Sequence, residues 1–281
     1  MNAVTFHCPI DEYHAMKGSW SHSQIEVLIE SPPLFHGQFI TGDFPMKRTN
    51  ALDAGTIVHA ALLEPDGLDS VVSVIPESAL NEDGHRKGAA WLEWSKAQGK
   101  KIFLKNSEAD PIFRMVENVR NNSEARRLLE SHGPVEQCIQ WLDEVTGLTL
   151  RARLDKIAEV PLGIAITDLK TTRAVKVRDF MRDAVTYGYH RQAAWYMDGA
   201  REIGLDPIAF LWITVDKSPA HECLVHELHP DDIELGRQHN RQVLRELEYR
   251  LATDDWTGRG NDCILLSRLP AWAHNLEILE V

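Results

Sequence analysis

Arg151-Ala-Arg-Leu-Asp155, followed by Ile166-Thr-Asp168-Leu-Lys170, is the stretch that decides the fold. In each segment an apolar run ends at charged residues, which is typical of the end of a strand. Asp168 and Lys170 are two positions apart, so on a strand both side chains point to the same face. Two carboxylates and a lysine converging at a sheet edge would form a site for Mg²⁺ and a phosphodiester, because carboxylate oxygens bind hard cations.

The residues around this stretch predict a mixed α/β fold (α+β mixed), with a central mixed sheet flanked by helices. We expect one domain over residues 1–281, consisting of an N-terminal helical annex (1–50) and a core (51–281). Period-two patterning predicts strands over 71–75, 135–141, 148–157, 163–169, 208–216 and 222–229. Helical spacing predicts helices over 21–31, 50–63, 110–131, 177–203 (broken near 186–188) and 230–251, with a helical middle in 81–101.

Composition excludes several classes of protein. Hydrophobic residues make up 43% and charged residues 26% of the chain, as in soluble globular proteins. We find no apolar run of membrane-spanning length and no signal-peptide pattern, and therefore expect a cytoplasmic protein. Four scattered cysteines argue against a disulfide framework, a zinc ribbon and an iron–sulfur cluster. No phosphate-binding Gly-rich loop with Lys-Ser/Thr is present, which argues against ATP.

The net charge of −12 is unusual for a protein that binds nucleic acid. The potential that matters is local, however, and acids that await a metal contribute negative charge. We interpret Lys47-Arg48 and Arg126-Arg127 as solvated faces. A further basic set lies just after the Asp-x-Lys element, and for it we favour contact with DNA; its members are Arg173, Lys176, Arg178 and Arg182.

Six residues, which fall into four groups, have two interpretations each. Asp155 and Asp168 interrupt apolar runs, so we favour a metal site over surface acids, since a buried carboxylate needs a partner. His59 lies on the apolar face of its helix, and position alone favours core packing. Glu136 is either an additional metal or supporting ligand, or a solvated strand residue. The remaining pair, Gln192 and Tyr196, shares a helix face and either reaches a phosphate or base or packs in the core.

Four sequence elements, listed below in chain order, resemble those of the PD-(D/E)xK nuclease superfamily. Within this superfamily they resemble the exonuclease VIII (RecE-like) group of phage and prophage recombination exonucleases. The early 23–33 helix and Pro270-Ala-Trp272 add to the resemblance, which spans residues 13–272. The four elements are Gly55-Thr-Ile-Val-His59-Ala-Ala-Leu-Leu-Glu-Pro65, Arg151-Ala-Arg-Leu-Asp155, Asp168-Leu-Lys170-Thr-Thr and Tyr187-Gly-Tyr-His-Arg-Gln192-Ala-Ala-Trp-Tyr196.

The resemblance implies a role for each matching residue. It implies that His59, Asp155 and Asp168 are metal ligands and that Lys170 is the catalytic lysine. Asp168 departs from the Glu of many superfamily members. The Gln-x-x-x-Tyr element is implied to lie near the active site and DNA. The implied cofactor is Mg²⁺, with Mn²⁺ as a substitute, and the scattered cysteines exclude the relatives that carry an iron–sulfur cluster.

The resemblance also implies an activity and partners. It implies processive 5′-to-3′ digestion of one strand at the ends of linear double-stranded DNA, which leaves 3′ single-stranded overhangs for recombination. A ring-shaped homo-oligomer and a single-strand annealing protein (RecT-like) are the implied partners. Two alternatives stay open: an endonuclease on the same fold, and a DNA-binding or regulatory protein that has the fold without catalysis.

Overall fold

The computed structural model describes residues 3–45, 50–174, 176–258, 260 and 263–269, and the side chains of 50–52 are not described. Lys47, Arg48 and Pro270-Ala-Trp272, which the sequence analysis singled out, lie outside the described residues. Within the described ranges, no helix combines the length and the apolar character needed to cross a membrane.

Within the described residues, the chain forms nine strands and eleven α-helices. The strands are β1 (Ala3–Phe6), β2 (Trp20–Ser21), β3 (Val72–Val74), β4 (Ile102–Leu104), β5 (Val135–Leu142), β6 (Thr149–Val160), β7 (Gly163–Thr172), β8 (Pro207–Asp216) and β9 (Cys223–Glu227). The α-helices are α1 (Ile10–Ala15), α2 (His22–Glu30), α3 (Pro32–Phe35), α4 (Asn50–Leu63), α5 (Leu68–Val71), α6 (Ala89–Gln98), α7 (Asn106–Asn121), α8 (Ser123–Glu130), α9 (Val177–Thr186), α10 (Tyr189–Glu202) and α11 (Pro230–Thr253).

A mixed sheet with the order β1-β5-β6-β7-β8-β9 forms the centre of the molecule, and β2 pairs with β6 off this path. The pairs β7–β8 and β2–β6 are parallel, and the other neighbours are antiparallel. The predicted α/β fold class and its central mixed sheet are confirmed. A second, two-stranded sheet pairs β3 with β4 in parallel.

Helices cover both faces of the sheet because successive strand residues face opposite sides. On β8, Trp212 belongs to a core cluster with residues of α2, α9, α10 and α11. The next residue, Ile213, belongs to a separate cluster with residues of α4, α7 and α8. The strands that carry the candidate site therefore lie between two packed layers of helices.

Two predicted elements differ from the structure. The helix predicted over 110–131 is two helices, α7 and α8, because Asn122 is extended (φ −74°, ψ 119°) and its side chain accepts hydrogen bonds from the backbone N–H groups of Glu124 and Ala125. An Asn with this geometry starts a new helix. The N-terminal annex also contributes β1 and β2 to the main sheet, in addition to the helices predicted there.

The predicted break between α9 and α10 is confirmed, and Gly188 explains it. This residue has a left-handed backbone (φ 70°), and a Cβ there would lie 2.5 Å from both Arg191 and Glu26. The left-handed backbone of this turn therefore favours glycine. The turn orients α10 so that Gln192 and Tyr196 line the same cleft as the charged strand residues.

Candidate active site

Five charged or titratable side chains come together from four neighbouring elements. Glu136 lies on β5, Asp155 on β6, and Asp168 and Lys170 on β7, three strands that are adjacent in the sheet. His59 comes from α4, which packs on β7. Among the described residues, His59, Glu136 and Asp155 each offer a ligand atom within 4.8 Å of the others.

The backbone of Leu169 orients two of these side chains. Its N–H donates to Oδ2 of Asp155 at 2.8 Å, and its carbonyl lies 2.9 Å from Nε2 of His59. A carbonyl oxygen only accepts, so His59 must donate from Nε2. A neutral imidazole with its proton on Nε2 presents a lone pair at Nδ1. The backbone of β7 therefore turns Nδ1 of His59 toward the acids, as hydrogen bonds beyond the ligand shell do in metal sites.

The donor atoms of this group fit a divalent cation. His59 Nδ1 lies 3.5 Å from Oδ2 of Asp155 and 4.0 Å from Oε1 of Glu136. Two ligands on one Mg²⁺, at about 2.1 Å each, lie at most about 4.2 Å apart. A lone pair that faces two carboxylates is repulsive unless a cation or a proton lies between them. Imidazole and carboxylate groups are also ligands for Mn²⁺, whereas Mg²⁺ prefers oxygen.

Glu136 is the most strained member of the group. Its φ of 49° is in the left-handed region, which costs a non-glycine residue about 1–3 kcal/mol. The residue is only 3% exposed, so the interpretation as a solvated strand residue is wrong. Burial and the neighbouring Asp155 carboxylate raise its pKa to about 8, against the opposing effect of Arg153. Such a pKa indicates a carboxyl group placed where a further positive charge would stabilise its ionised form.

Asp168 and Lys170 form a close ion pair beside this group. Lys170 Nζ lies 2.5 Å from Oδ2 of Asp168, which confirms that the two side chains share one face of β7. Burial and the Asp155 carboxylate raise the pKa of Asp168 to about 6, and the Lys170 ammonium opposes this rise. Burial lowers the pKa of Lys170, but the two aspartates outweigh burial and raise it overall. Lys170 is therefore a fixed positive charge, and Asp168 has its only described ion pair with Lys170.

Arg153 is a site residue to which the sequence analysis gave no role. Its Nη1 lies 2.8 Å from Oε2 of Glu136, and its Nη2 lies 3.5 Å from Oε2 of Glu64. It therefore holds Glu136 on the side away from His59. The signal was present in the sequence, because Arg153 stands two positions before Asp155 on a strand and so shares its face.

A cleft of 880 Å³ opens over the group. Its lining includes His59, Glu136 and Asp155, and also Gln192 and Tyr196. Gln192 Nε2 donates to the Tyr196 hydroxyl at 2.9 Å, so this pair acts as one polar unit on α10.

The basic set after β7 is only partly at the cleft. Arg173 is exposed and lines it, whereas Lys176 is exposed at the start of α9 and is outside the lining. Arg126 and Arg127 are exposed on α8, as predicted for a solvated face. Contact of Arg173 and Lys176 with DNA stays a prediction.

Comparison with known proteins identifies the family. Residues 21–268 match the family described as "PDDEXK-like domain of unknown function (DUF3799)". The chain belongs to this PDDEXK-like family. No curated protein sequence matches the chain.

One solved structure is similar in fold over nearly the whole chain. It is the crystal structure of a "Putative exonuclease" from Eubacterium rectale, with a TM-score of 0.62 and 13% sequence identity. The match covers 97% of this chain and 100% of that chain. At this identity the likeness shows the fold alone. The superfamily resemblance read from the sequence is thus confirmed, and the chain has a nuclease fold.

The PDDEXK-like site differs in one respect from the predicted ligand set. The structure brings together His59, Asp155 and Glu136, and it places Asp168 against Lys170 outside the group of donors within 4.8 Å. The assignment of Asp168 as a metal ligand stays a prediction. From the sequence, Glu136 is predicted only as a possible additional ligand or supporting residue, because its position in a strand does not reveal its burial.

Proposed function

We propose that this protein is a metal-dependent nuclease that hydrolyses phosphodiester bonds of DNA. The observation that supports this most strongly is the convergence of His59, Glu136 and Asp155 beside the Asp168–Lys170 pair, in an open cleft. Acceptor atoms that face one another, next to a fixed ammonium group, suit a cation and a phosphate together.

The side chains divide the work in this proposal. His59, Asp155 and Glu136 would hold the cation, with Asp168 as a further ligand in the proposed set. A bound Mg²⁺ or Mn²⁺ polarises a phosphate and lowers the pKa of a bound water.

Lys170 offsets the negative charge that develops on the phosphate, since its raised pKa keeps it protonated. Asp168 positions that ammonium, and Tyr189 limits its movement, with its ring centroid 5.0 Å from Nζ. Gln192 and Tyr196 would orient the strand in the cleft.

We further propose that the enzyme is an exodeoxyribonuclease that acts on the ends of linear duplex DNA. Digestion in the 5′-to-3′ direction, processivity and 3′ overhangs for strand annealing follow from the resemblance to the exonuclease VIII group. The same resemblance supports a homo-oligomeric ring and a single-strand annealing partner. A ring would reconcile DNA binding with a net charge of −12, because only the lining of its channel needs to be basic.

A timed digestion of duplex DNA tests these proposals. The substrate carries a label at either the 5′ or the 3′ end, and the reaction is run with Mg²⁺, with Mn²⁺ and with EDTA. We expect metal-dependent release of the 5′-terminal label as mononucleotides, while the 3′ label stays on strands that shorten from their 5′ ends. Early release of the 3′ label would contradict the proposed direction.

Closed circular duplex DNA separates the rival functions. Cutting of the closed circle would support an endonuclease and contradict the exonuclease proposal. Intact end-labelled duplex after incubation with either metal would contradict hydrolysis itself and favour a DNA-binding protein on the nuclease fold.

A further inference from the structure

A small lobe beside the cleft has the opposite charge to the rest of the protein. The lobe comprises residues 72–105 and contains β3, α6 and β4. Residues 72–105 include six lysine or arginine residues and four acidic residues, Glu77, Glu82, Asp83 and Glu93, so the lobe has a net charge of +2 in a chain whose net charge is −12. A local basic surface on an acidic protein indicates a binding site for an anionic partner.

The helix of this lobe packs through aromatic rings that stay partly exposed. None of the ten residues of α6 is fully buried. Trp91 and Trp94 contact Phe103 of β4, with ring centroids 5.6 Å and 5.2 Å apart, respectively. All three rings are only half-buried. Partly exposed aromatic rings on a basic surface suit nucleobases, which stack on them whatever the sequence.

A groove of 650 Å³ joins the lobe to the catalytic cleft. The lobe contributes Arg86, Trp91, Lys100, Lys101 and Phe103 to its lining. Three further lining residues, Ile10, Thr56 and Val71, also line the catalytic cleft, so the two depressions adjoin.

The charges along this groove are segregated. Glu108 pairs with Arg86, which offsets its charge. Of the other two acids of the lining, Asp11 follows Ile10 directly and Asp53 lies about one helical turn before Thr56 on α4, so both lie toward the catalytic cleft. The positive charge is at the end formed by the lobe.

We propose that this groove binds a single-stranded segment of DNA that is continuous with the strand in the catalytic cleft. The inference rests on the proposed DNA hydrolysis. Lys100 and Lys101 contact phosphates, and Trp91 and Phe103 stack with bases. Single-stranded DNA is favoured over duplex because only unpaired bases expose their faces to these rings.

Binding of fluorescein-labelled thymidine oligomers in EDTA tests the proposal without any hydrolysis. For a dodecamer, we expect Trp91→Ala to raise Kd about tenfold. Lys100→Gln/Lys101→Gln should make the slope of log K against log salt shallower by about 1.4. A thymidine tetramer is too short to span both depressions, so its affinity should fall much less in these variants than the affinity of the dodecamer. Trp91→Phe keeps an aromatic ring and should retain most of the affinity.

Arg126→Gln/Arg127→Gln is the matched control, because it removes the same charge from α8, outside the groove. Dodecamer affinities and salt slopes that are equal in wild type and the lobe variants would overturn the proposal. Displacement of the dodecamer by polyglutamate as readily as by unlabelled dodecamer would also overturn it, in favour of an acidic peptide.

The outcome for the groove is distinguishable from that for hydrolysis. If wild type fails to hydrolyse duplex DNA in Mg²⁺ while Trp91→Ala still weakens dodecamer binding, the groove is supported and the proposed nuclease activity is lost. If hydrolysis proceeds while the lobe variants bind the dodecamer normally, the nuclease stands and the groove proposal fails.

Discussion

Strand β5 has a buried carboxylate near each end, and the surroundings of the two carboxylates shift their pKa values in opposite directions. Asp143, just past one end, accepts hydrogen bonds from Thr146 and from Arg241, whose Nη1 lies 2.8 Å from both carboxylate oxygens. Burial raises its pKa, but these partners outweigh burial and lower it overall. At the other end, Glu136 has a raised pKa, a left-handed backbone and two acidic neighbours, Asp155 and Glu64.

The difference separates a structural charge from a functional one. Asp143 is already satisfied by the protein, and so it stabilises the fold. Glu136 is stabilised only in part, by Arg153, and its ionised form needs more positive charge than the described residues supply. A buried carboxylate whose negative charge the folded protein compensates only in part is stabilised further when a cation binds. Such uncompensated charges are typical of active sites.

The largest effect is expected at the Asp168–Lys170 pair. Lys170→Met removes the fixed charge at the reacting phosphate, and Asp168→Ala removes the carboxylate that positions it. Either change should lower the hydrolysis rate by about 10³-fold or more. Lys17→Met, at an exposed position, is the control and should leave the rate unchanged. Initial rates on labelled duplex, together with circular dichroism to check folding, measure this. Hydrolysis retained in either site variant would refute the assignment of the pair.

Glu136→Gln should stabilise the metal-free protein at about pH 8 while lowering activity. The pKa of Glu136 is about 8 in the folded state and 4.5 ordinarily, so its stabilising contribution is full below pH 4.5 and is lost as pH rises through 8. The free energy of unfolding of wild type should therefore fall over this range, by a few kcal/mol in order of magnitude. Urea unfolding in EDTA at several pH values measures this. An unchanged pH dependence in Glu136→Gln would contradict the cause assigned here.

Asp143→Asn should have the opposite effect at the other end of the strand. Removing the charge weakens the hydrogen bonds from Arg241 and Thr146, so the free energy of unfolding should fall by about 1–3 kcal/mol at neutral pH. The rate of hydrolysis per folded molecule should stay at the wild-type value. A loss of activity without a loss of stability would show that the two ends of β5 do not differ as described.

The smallest effect is expected at the polar pair of α10. Tyr196→Phe removes the hydroxyl that accepts from Gln192, a single hydrogen bond with an energy of about 0.5–1.5 kcal/mol. KM for duplex DNA should rise by about two- to tenfold with kcat nearly unchanged, because the pair positions the strand without touching the reacting group. A fall in kcat at constant KM would place Tyr196 in the chemistry instead.

The fold and part of the site could be predicted from the sequence because their signals are local. Period-two patterning gave the strands of the main sheet near their observed bounds, and the two-residue spacing of Asp168 and Lys170 predicted their contact. The break between α7 and α8 was missed, because an Asn within a helical pattern does not reveal whether its side chain caps a new helix.

The two arginines of Arg151-Ala-Arg-Leu-Asp155 show why other parts of the site could not be predicted from the sequence. Arg151 is 1% exposed, and its guanidinium contacts Ser19 and Gln24, where it holds the N-terminal segment against β6. Arg153, two residues later, holds Glu136. The two arginines look equivalent in the sequence. Ser19 and Gln24 are more than 100 residues from Arg151 in the chain, whereas Glu136 is 17 residues from Arg153. Only the fold therefore distinguishes the two arginines.

Titration with Mn²⁺ alone tests the central claim, that His59, Glu136 and Asp155 form a metal centre while Asp143 does not. Isothermal titration calorimetry compares wild type with Asp155→Asn, His59→Ala and Asp143→Asn, all without DNA. We predict that wild type and Asp143→Asn bind Mn²⁺ with similar affinity, and that Asp155→Asn and His59→Ala bind it at least about tenfold more weakly. Equal Mn²⁺ affinity in all four proteins would contradict the claim.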